Sequence, residues 1–150
     1  MDESHTRALV PSTKSGDVSG LANLTLEEVR LIAPELLEWC VDVNWPVARE
    51  IGKVFSGFGS PIASSVRHFL TTHCANDNWG VLCSIRSLEI WFELRDLLER
   101  FANNPTDDEL DEELDELATN WLTQLDLWGY TTARSLQVDP PTNIDTTDLG

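Results

Sequence analysis

Three places along the 150-residue chain gather side chains whose types could do chemistry. His68, His73 and Cys74 supply two imidazoles and a thiol, the donor types of a zinc site. Helical histidine pairs that share a metal stand three or four apart, whereas these stand five apart, and neither Cys-x-x-Cys nor His-Glu-x-x-His supports them. Asp42, Asn44 and Trp45 place a carboxylate and an amide beside an indole, so they could hold a cation or orient a water. The same residue types also close corners. On that simpler reading Asp42 ties backbone N–H groups, Asn44 caps a helix and the tryptophans pack. The third place is the run from Asp107 to Glu116, eight acids in ten residues. Abundance makes any chosen carboxylate pair there uninformative as an acid and base.

Nucleophilic catalysis needs a Ser or Cys held by a base that a third group orients, and the chain has no Gly-x-Ser-x-Gly and no comparable Cys/His pattern. The eight glycines form neither a P-loop nor Gly-x-Gly-x-x-Gly. The expectation is therefore a protein that is not an enzyme, with no catalytic residues, no metal and no cofactor.

The acidic run has a different use. Like charges three and four apart on a helix cost about 0.2–0.5 kcal/mol per pair. No Lys or Arg within the run offsets them. On a helical wheel centred on Leu110, Leu114 and Trp121, the outward face holds Asp108, Glu112, Asp115 and Glu116. A face that bears repulsion without internal partners is a candidate docking surface for a basic protein. The alternative is a solvated face whose charge favours a helix N-terminus.

The elements that must carry these residues follow from apolar spacing and start signals. Residues 1–24 are rich in Ser, Thr and Gly and form an N-terminal arm, partly ordered, with Leu9-Val10-Pro11 as its anchor. A single helical domain is expected over 25–128. Thr25 and Glu28 form a capping box, with Leu26, Val29 and Ile32 behind them. Pro34 is placed in the first turn of a second short helix over 34–42. Asn44 with Pro46 starts a helix that buries Val47, Ala48, Ile51, Val54 and Phe55 and ends at Gly57-Phe58-Gly59. Ser60-Pro61 repeats that start for Ile62, Val66, Phe69 and Leu70. Asp77 can cap a helix holding Trp79, Leu82, Cys83 and Ile85. A break near Ser87 leads to a helix over 89–103 with Trp91, Leu94, Leu98 and Phe101 inside.

After the Asn104-Pro105 turn, Thr106 and Glu109 form a second capping box. Leu110, Leu114, Leu117, Trp121 and Leu125 make the stripe of the last helix. From residue 129 to 150 the chain is polar and acidic and is expected to be a flexible tail. Strand-like alternation is absent. The fold class is all-α, six or seven short helices stacked as HEAT- or armadillo-like hairpins. Trp39, Trp45, Trp79, Trp91 and Trp121 are expected to be largely buried.

Charge excludes several partners. The formal net charge is -16, from 26 Asp and Glu against 10 Lys and Arg. Such a field repels nucleic-acid phosphates and anionic membrane surfaces and steers in basic proteins. Cys40, Cys74 and Cys83 are an odd set without a Cys-x-x-Cys pair, which fits a reducing compartment, with Cys40 and Cys83 as core thiols. No apolar run approaches membrane-spanning length and the first residues lack a signal region, so a cytoplasmic location is expected.

The stretch Leu36-Leu37-Glu38-Trp39-Cys40-Val41-Asp42-Val43-Asn44-Trp45-Pro46-Val47-Ala48 resembles the L-L-E-W-x-x-D-x-N-W-P-V-A signature of a family of small, uncharacterised bacterial domains of unknown function. The resemblance covers roughly residues 9–122. An upstream L-x-P-x-x-K-x-D element looks like Leu9, Pro11, Lys14 and Asp17. An acidic residue before W-K looks like Asp77, Asn78 and Trp79, and P-T-x-x-E looks like Pro105, Thr106 and Glu109. Gly80 stands where that pattern has a basic residue, so a cation's role there does not carry over. The resemblance implies a compact HEAT-like helical domain with no established activity. It also implies a likeness to immunity proteins encoded beside secreted antibacterial toxins.

Two functions from different classes follow. One is an immunity protein that binds and neutralises a cognate toxin effector, such as a basic nuclease. The other is a general HEAT-like adaptor or scaffold with another protein partner.

Overall fold

The computed structural model describes residues 3–14 and 16–129, and they are all-α. Nine α-helices occur among the described residues: α1 (Glu3–Arg7), α2 (Leu26–Glu38), α3 (Pro46–Phe58), α4 (Ala63–Thr72), α5 (Ala75–Ser84), α6 (Leu88–Glu93), α7 (Arg95–Asn103), α8 (Asp107–Asp111) and α9 (Leu114–Leu127). Two 3-10 turns, Ser19–Asn23 and Ser60–Ile62, precede α2 and α4. The tail expected from residue 129 lies, apart from Gly129, outside the described residues.

The helices pack in two layers. Helices α2, α4 and α6 contact in sequence along one layer, and α3, α5 and α9 along the other. The layers join through α2 against α3 and α6 against α9, while α7 lies along α9. From α2 to α7 each helix thus meets a second neighbour in the chain, the order that stacked hairpins produce. Between the layers lies one continuous core that includes Val29, Ile32, Leu36, Ile51, Phe55, Val66, Leu82, Trp91, Phe101, Leu114 and Leu125.

Backbone approach sets the spacing of the second layer. A Cβ on Gly52 of α3 would stand 2.0 Å from the Ser84 carbonyl oxygen, and one on Gly80 of α5 would stand 2.0 Å from that of Val41. Only glycine permits such contacts. A larger side chain therefore has no room at Gly80.

Helix count and several boundaries differ from the sequence-based expectation, each for a local reason. Residues 26–38 form one helix with Pro34 inside it. Pro34 and Arg30, whose carbonyl loses its helical donor, are both exposed, so the break in the ladder falls on the solvent side of the helix. Trp45, not Asn44, occupies the N-cap of α3, and its side chain makes no cap hydrogen bond. Pro46 follows it at the first helical position. Helix α5 starts after Cys74, so Asp77 sits inside its first turn.

The two long C-terminal helices are each divided. Leu94 (φ -107°, ψ 20°) separates α6 from α7, and Glu113, in the left-handed region at φ 59°, separates α8 from α9. Both capping boxes form, at Thr25/Glu28 and Thr106/Glu109.

Of the five tryptophans expected inside, Trp91 and Trp121 are buried, while Trp39, Trp45 and Trp79 are half-buried. The buried pair does polar work as well. The Trp91 indole N–H donates to the Ile85 carbonyl (2.9 Å) and that of Trp121 to the Leu82 carbonyl (3.0 Å). These are carbonyls at the end of α5, which a helix C-terminus leaves without intrahelical donors.

Candidate functional site

The acidic run is built on the turn between α7 and α9. Asn104 and Pro105 reverse the chain, and Thr106 then caps α8 by accepting from the Glu109 N–H (3.2 Å). Glu109 reaches back to the Thr106 N–H (2.9 Å). It also meets Arg100 of α7 through two hydrogen bonds, Nη1 to Oε1 at 3.0 Å and Nη2 to Oε2 at 2.7 Å. Burial pushes the Glu109 carboxyl up, but the Arg100 guanidinium and the Thr106 N–H more than offset it, so the group lies below its ordinary range.

Glu109 is the one acid of the run that turns inward. The other seven make no ion pair with Lys or Arg among the described residues. Asp108, Glu112 and Glu116 are exposed and Asp115 is half-buried. The single wheel that grouped these four does not survive. The break at Glu113 puts Asp108 on α8, Glu112 at the cap that ends it, and Asp115 and Glu116 in the first turn of α9.

The same break corrects Leu110. Expected in the apolar stripe, it is 49% exposed, while Leu114, Trp121 and Leu125 are buried and Leu117 is half-buried. An exposed leucine thus stands between Asp108 and Glu112, apolar surface set into a carboxylate field. Counting the stripe through Glu113 as unbroken helix hid Leu110. Arg100 escaped notice because nothing short-range links it to Glu109, nine residues on.

The corner over 38–46 is a structural joint. The Asn44 N–H donates to the Asp42 carboxylate (2.9 Å) and the Trp45 N–H to the Asp42 carbonyl (3.1 Å), an Asx-type turn. Trp39 and Trp45 meet edge to face at 5.6 Å, and the Lys14 ammonium lies 5.5 Å from the Trp45 ring centre. The Ser84 hydroxyl donates to the Cys40 carbonyl (3.1 Å), tying α5 to the corner. Asp42 and Asn44 are thereby engaged as turn residues, with Asn44 as donor to the turn instead of helix cap.

His68 is exposed. The His73 ring stacks on Phe69 at 3.5 Å, with Nδ1 3.0 Å from the Phe69 carbonyl and Nε2 2.6 Å from the Glu38 carboxylate. No group of three or more His, Cys, Asp or Glu among the described residues is arranged to hold a metal ion. Cys74 is exposed, Cys40 buried and Cys83 half-buried. Burial pushes the Cys40 thiol up to about 12 and that of Cys83 to about 11, so both fit the core-thiol reading. No helix among the described residues is long and apolar enough to cross a membrane.

No curated protein and no solved structure matches the chain. One protein family does, over residues 9–122, a span that runs from the Leu9 anchor through the Trp39–Trp45 corner and the acidic turn to α9. The chain belongs to the family described as Domain of unknown function (DUF5071).

Proposed function

We propose that this chain is a non-catalytic protein-binding module that docks a basic protein on the face formed by α8 and the start of α9. One observation carries the reading: seven acids of the run have no basic partner among the described residues, and an exposed Leu110 stands among them. Carboxylates steer a basic partner and set its register, while an apolar anchor that becomes fully desolvated holds it. Leu110 with Asp108, Glu112, Asp115 and Glu116 forms the contact.

Within that class, the reading adopted is an immunity protein. It is made in the cytoplasm, where it neutralises a secreted toxin effector. A basic nuclease is the effector class that the charge fits best, because a protein built to bind phosphates carries the complementary field. The bound inhibitor occupies that field in place of nucleic acid, and the chain itself binds no nucleic acid. The test is co-expression with each toxin encoded beside the gene. Rescue of growth together with a purified one-to-one complex supports the reading. If no neighbouring toxin is neutralised, the chain is an adaptor.

A further inference from the structure

Helices α2, α4 and α6 contact in sequence along one layer, and the 3-10 turn Ser60–Ile62 touches all three. They share an open pocket of about 350 Å³. Arg30 of α2, Ser64 and Arg67 of α4 and Glu93 of α6 all lie in its lining, with Ser60 from the turn. Three helices thus bring charged or hydroxyl groups to one place.

Both guanidinium groups are held by the body of the molecule. Arg30 donates through Nη2 to the Pro61 carbonyl (2.6 Å). Arg67 donates to the Asp96 carboxylate through Nη1 (3.0 Å) and Nη2 (2.8 Å), and through Nη2 to the Glu93 carbonyl (3.2 Å). Asp96 therefore balances Arg67. The charges that the lining offers a ligand are Arg30 and Glu93, one of each sign.

The two charges are set against different turns of one helix. Arg30 is tied to Pro61 just before α4, where the hydroxyls of Ser60 and Ser64 also line the pocket. The positive end of α4 favours an anion on that side. Glu93 is tied through its carbonyl to Arg67 in the second turn. Pro61 and Leu94 give the pocket an apolar wall.

Size and charge then select the ligand. Ligand pockets run from about 300 to 1,000 Å³, so this one takes a small molecule. A phosphate dianion would meet the Glu93 carboxylate and the field of a chain with net charge -16. A simple cation would meet Arg30. A molecule that carries both signs satisfies both sides and, being neutral as a whole, is not repelled by that field.

We propose that this pocket binds a free α-amino acid with a short aliphatic side chain. Its carboxylate is held by Arg30 and the hydroxyls of Ser60 and Ser64, its ammonium by Glu93, and its side chain by Pro61 and Leu94. The site is separate from the acidic face, which lies on α8 and the start of α9.

The test is titration of the intact, isotopically labelled chain with L-valine, followed by amide NMR shifts and calorimetry. Saturable shifts are expected at Ser60, Ser64, Arg67 and Glu93. N-acetyl-L-valine lacks the ammonium and L-valinamide lacks the carboxylate, so each should bind about tenfold or more weakly than L-valine. These arms leave the protein untouched. Arg30→Gln and Glu93→Gln should each weaken L-valine by a similar factor at an unchanged fold, read from the remaining amide shifts. Neutralising Asp108, Glu112, Asp115 and Glu116 should leave L-valine affinity unchanged, which keeps this site distinct from the proposed toxin contact. The proposal is overturned if L-valine shifts none of the pocket amides, if either blocked derivative or inorganic phosphate binds as tightly as L-valine, or if both single variants retain wild-type affinity.

Discussion

Arg100 of α7 holds the carboxylate of Glu109 of α8 through two charge-assisted hydrogen bonds, 3.0 and 2.7 Å long. The pair spans nine residues and fixes the acidic turn against the body of the molecule. Glu109 is 8% exposed, so removing its partner leaves a largely buried charge. Arg100→Ala is predicted to lower stability by about 1–3 kcal/mol, measured by denaturant melts.

The same pair sets an acid response. The folded-state pKa of Glu109 lies below its ordinary value of 4.5. Its contribution is therefore fully present above that value and is lost as pH falls through the folded pKa. Asp96, held by Arg67, behaves alike from an ordinary value of 3.8. Melting temperature should decline below about pH 4.5, and Glu109→Gln should flatten that decline. An acid limb identical in wild type and variant would show that Glu109 does not contribute to it.

The close contact of Gly80 with Val41 predicts a specific intolerance. Gly80→Ala forces its Cβ onto a backbone carbonyl, which cannot rotate away as a side chain would. A loss of about 1–3 kcal/mol or more is expected. A denaturant midpoint equal to that of the wild type would mean that α5 moves freely from the corner.

The tryptophans should separate by burial. Trp91→Ala removes a fully buried ring and the donor to Ile85, so a cost of about 3–5 kcal/mol is predicted. Trp45 is half-buried at the corner, and Trp45→Ala should cost less, about 1–3 kcal/mol. Equal losses in thermal or denaturant melts would contradict the difference in packing.

Glu113 adopts φ 59°, a conformation that glycine reaches without the Cβ penalty. Glu113→Gly should stabilise the protein by about 1 kcal/mol, relieving both strain and like-charge repulsion. A lower midpoint would show that the Glu113 side chain makes a favourable contribution larger than its strain.

The acidic face makes a kinetic prediction. Replacing Asp108, Glu112, Asp115 and Glu116 by Asn or Gln should slow association with a basic partner and flatten its dependence on ionic strength, because exposed charges act mainly on the on-rate. Leu110→Ala should instead speed dissociation. Stopped-flow association across a salt series reads both, and superimposable curves would place the contact elsewhere.

Local rules made much of this protein legible from its residues alone. The two capping boxes, the Pro46 start, the end of α3 at Gly59 and the apolar spacing of Val29, Ile51, Phe55, Val66 and Leu98 are short-range patterns, and each forms as expected. They suffice for an all-α chain because hydrogen bonding and side-chain periodicity within a helix depend on neighbours three and four residues away. What they could not decide was set by contacts distant in sequence. Pro34 stays inside α2 because it and Arg30, whose carbonyl it leaves without a helical donor, both lie on the exposed side of the helix. Gly80 is glycine because Val41 lies against it. The Trp121 indole has its acceptor 39 residues away. At the candidate site, the charges could be read but not their direction. One left-handed residue, Glu113, separates α8 from α9 and Asp108 from Asp115, and Arg100 joins the Thr106 capping box in holding Glu109 as the acid that folds in. Neither event leaves a periodic trace, because a break in a helix and an ion pair between helices are decided by how the elements pack.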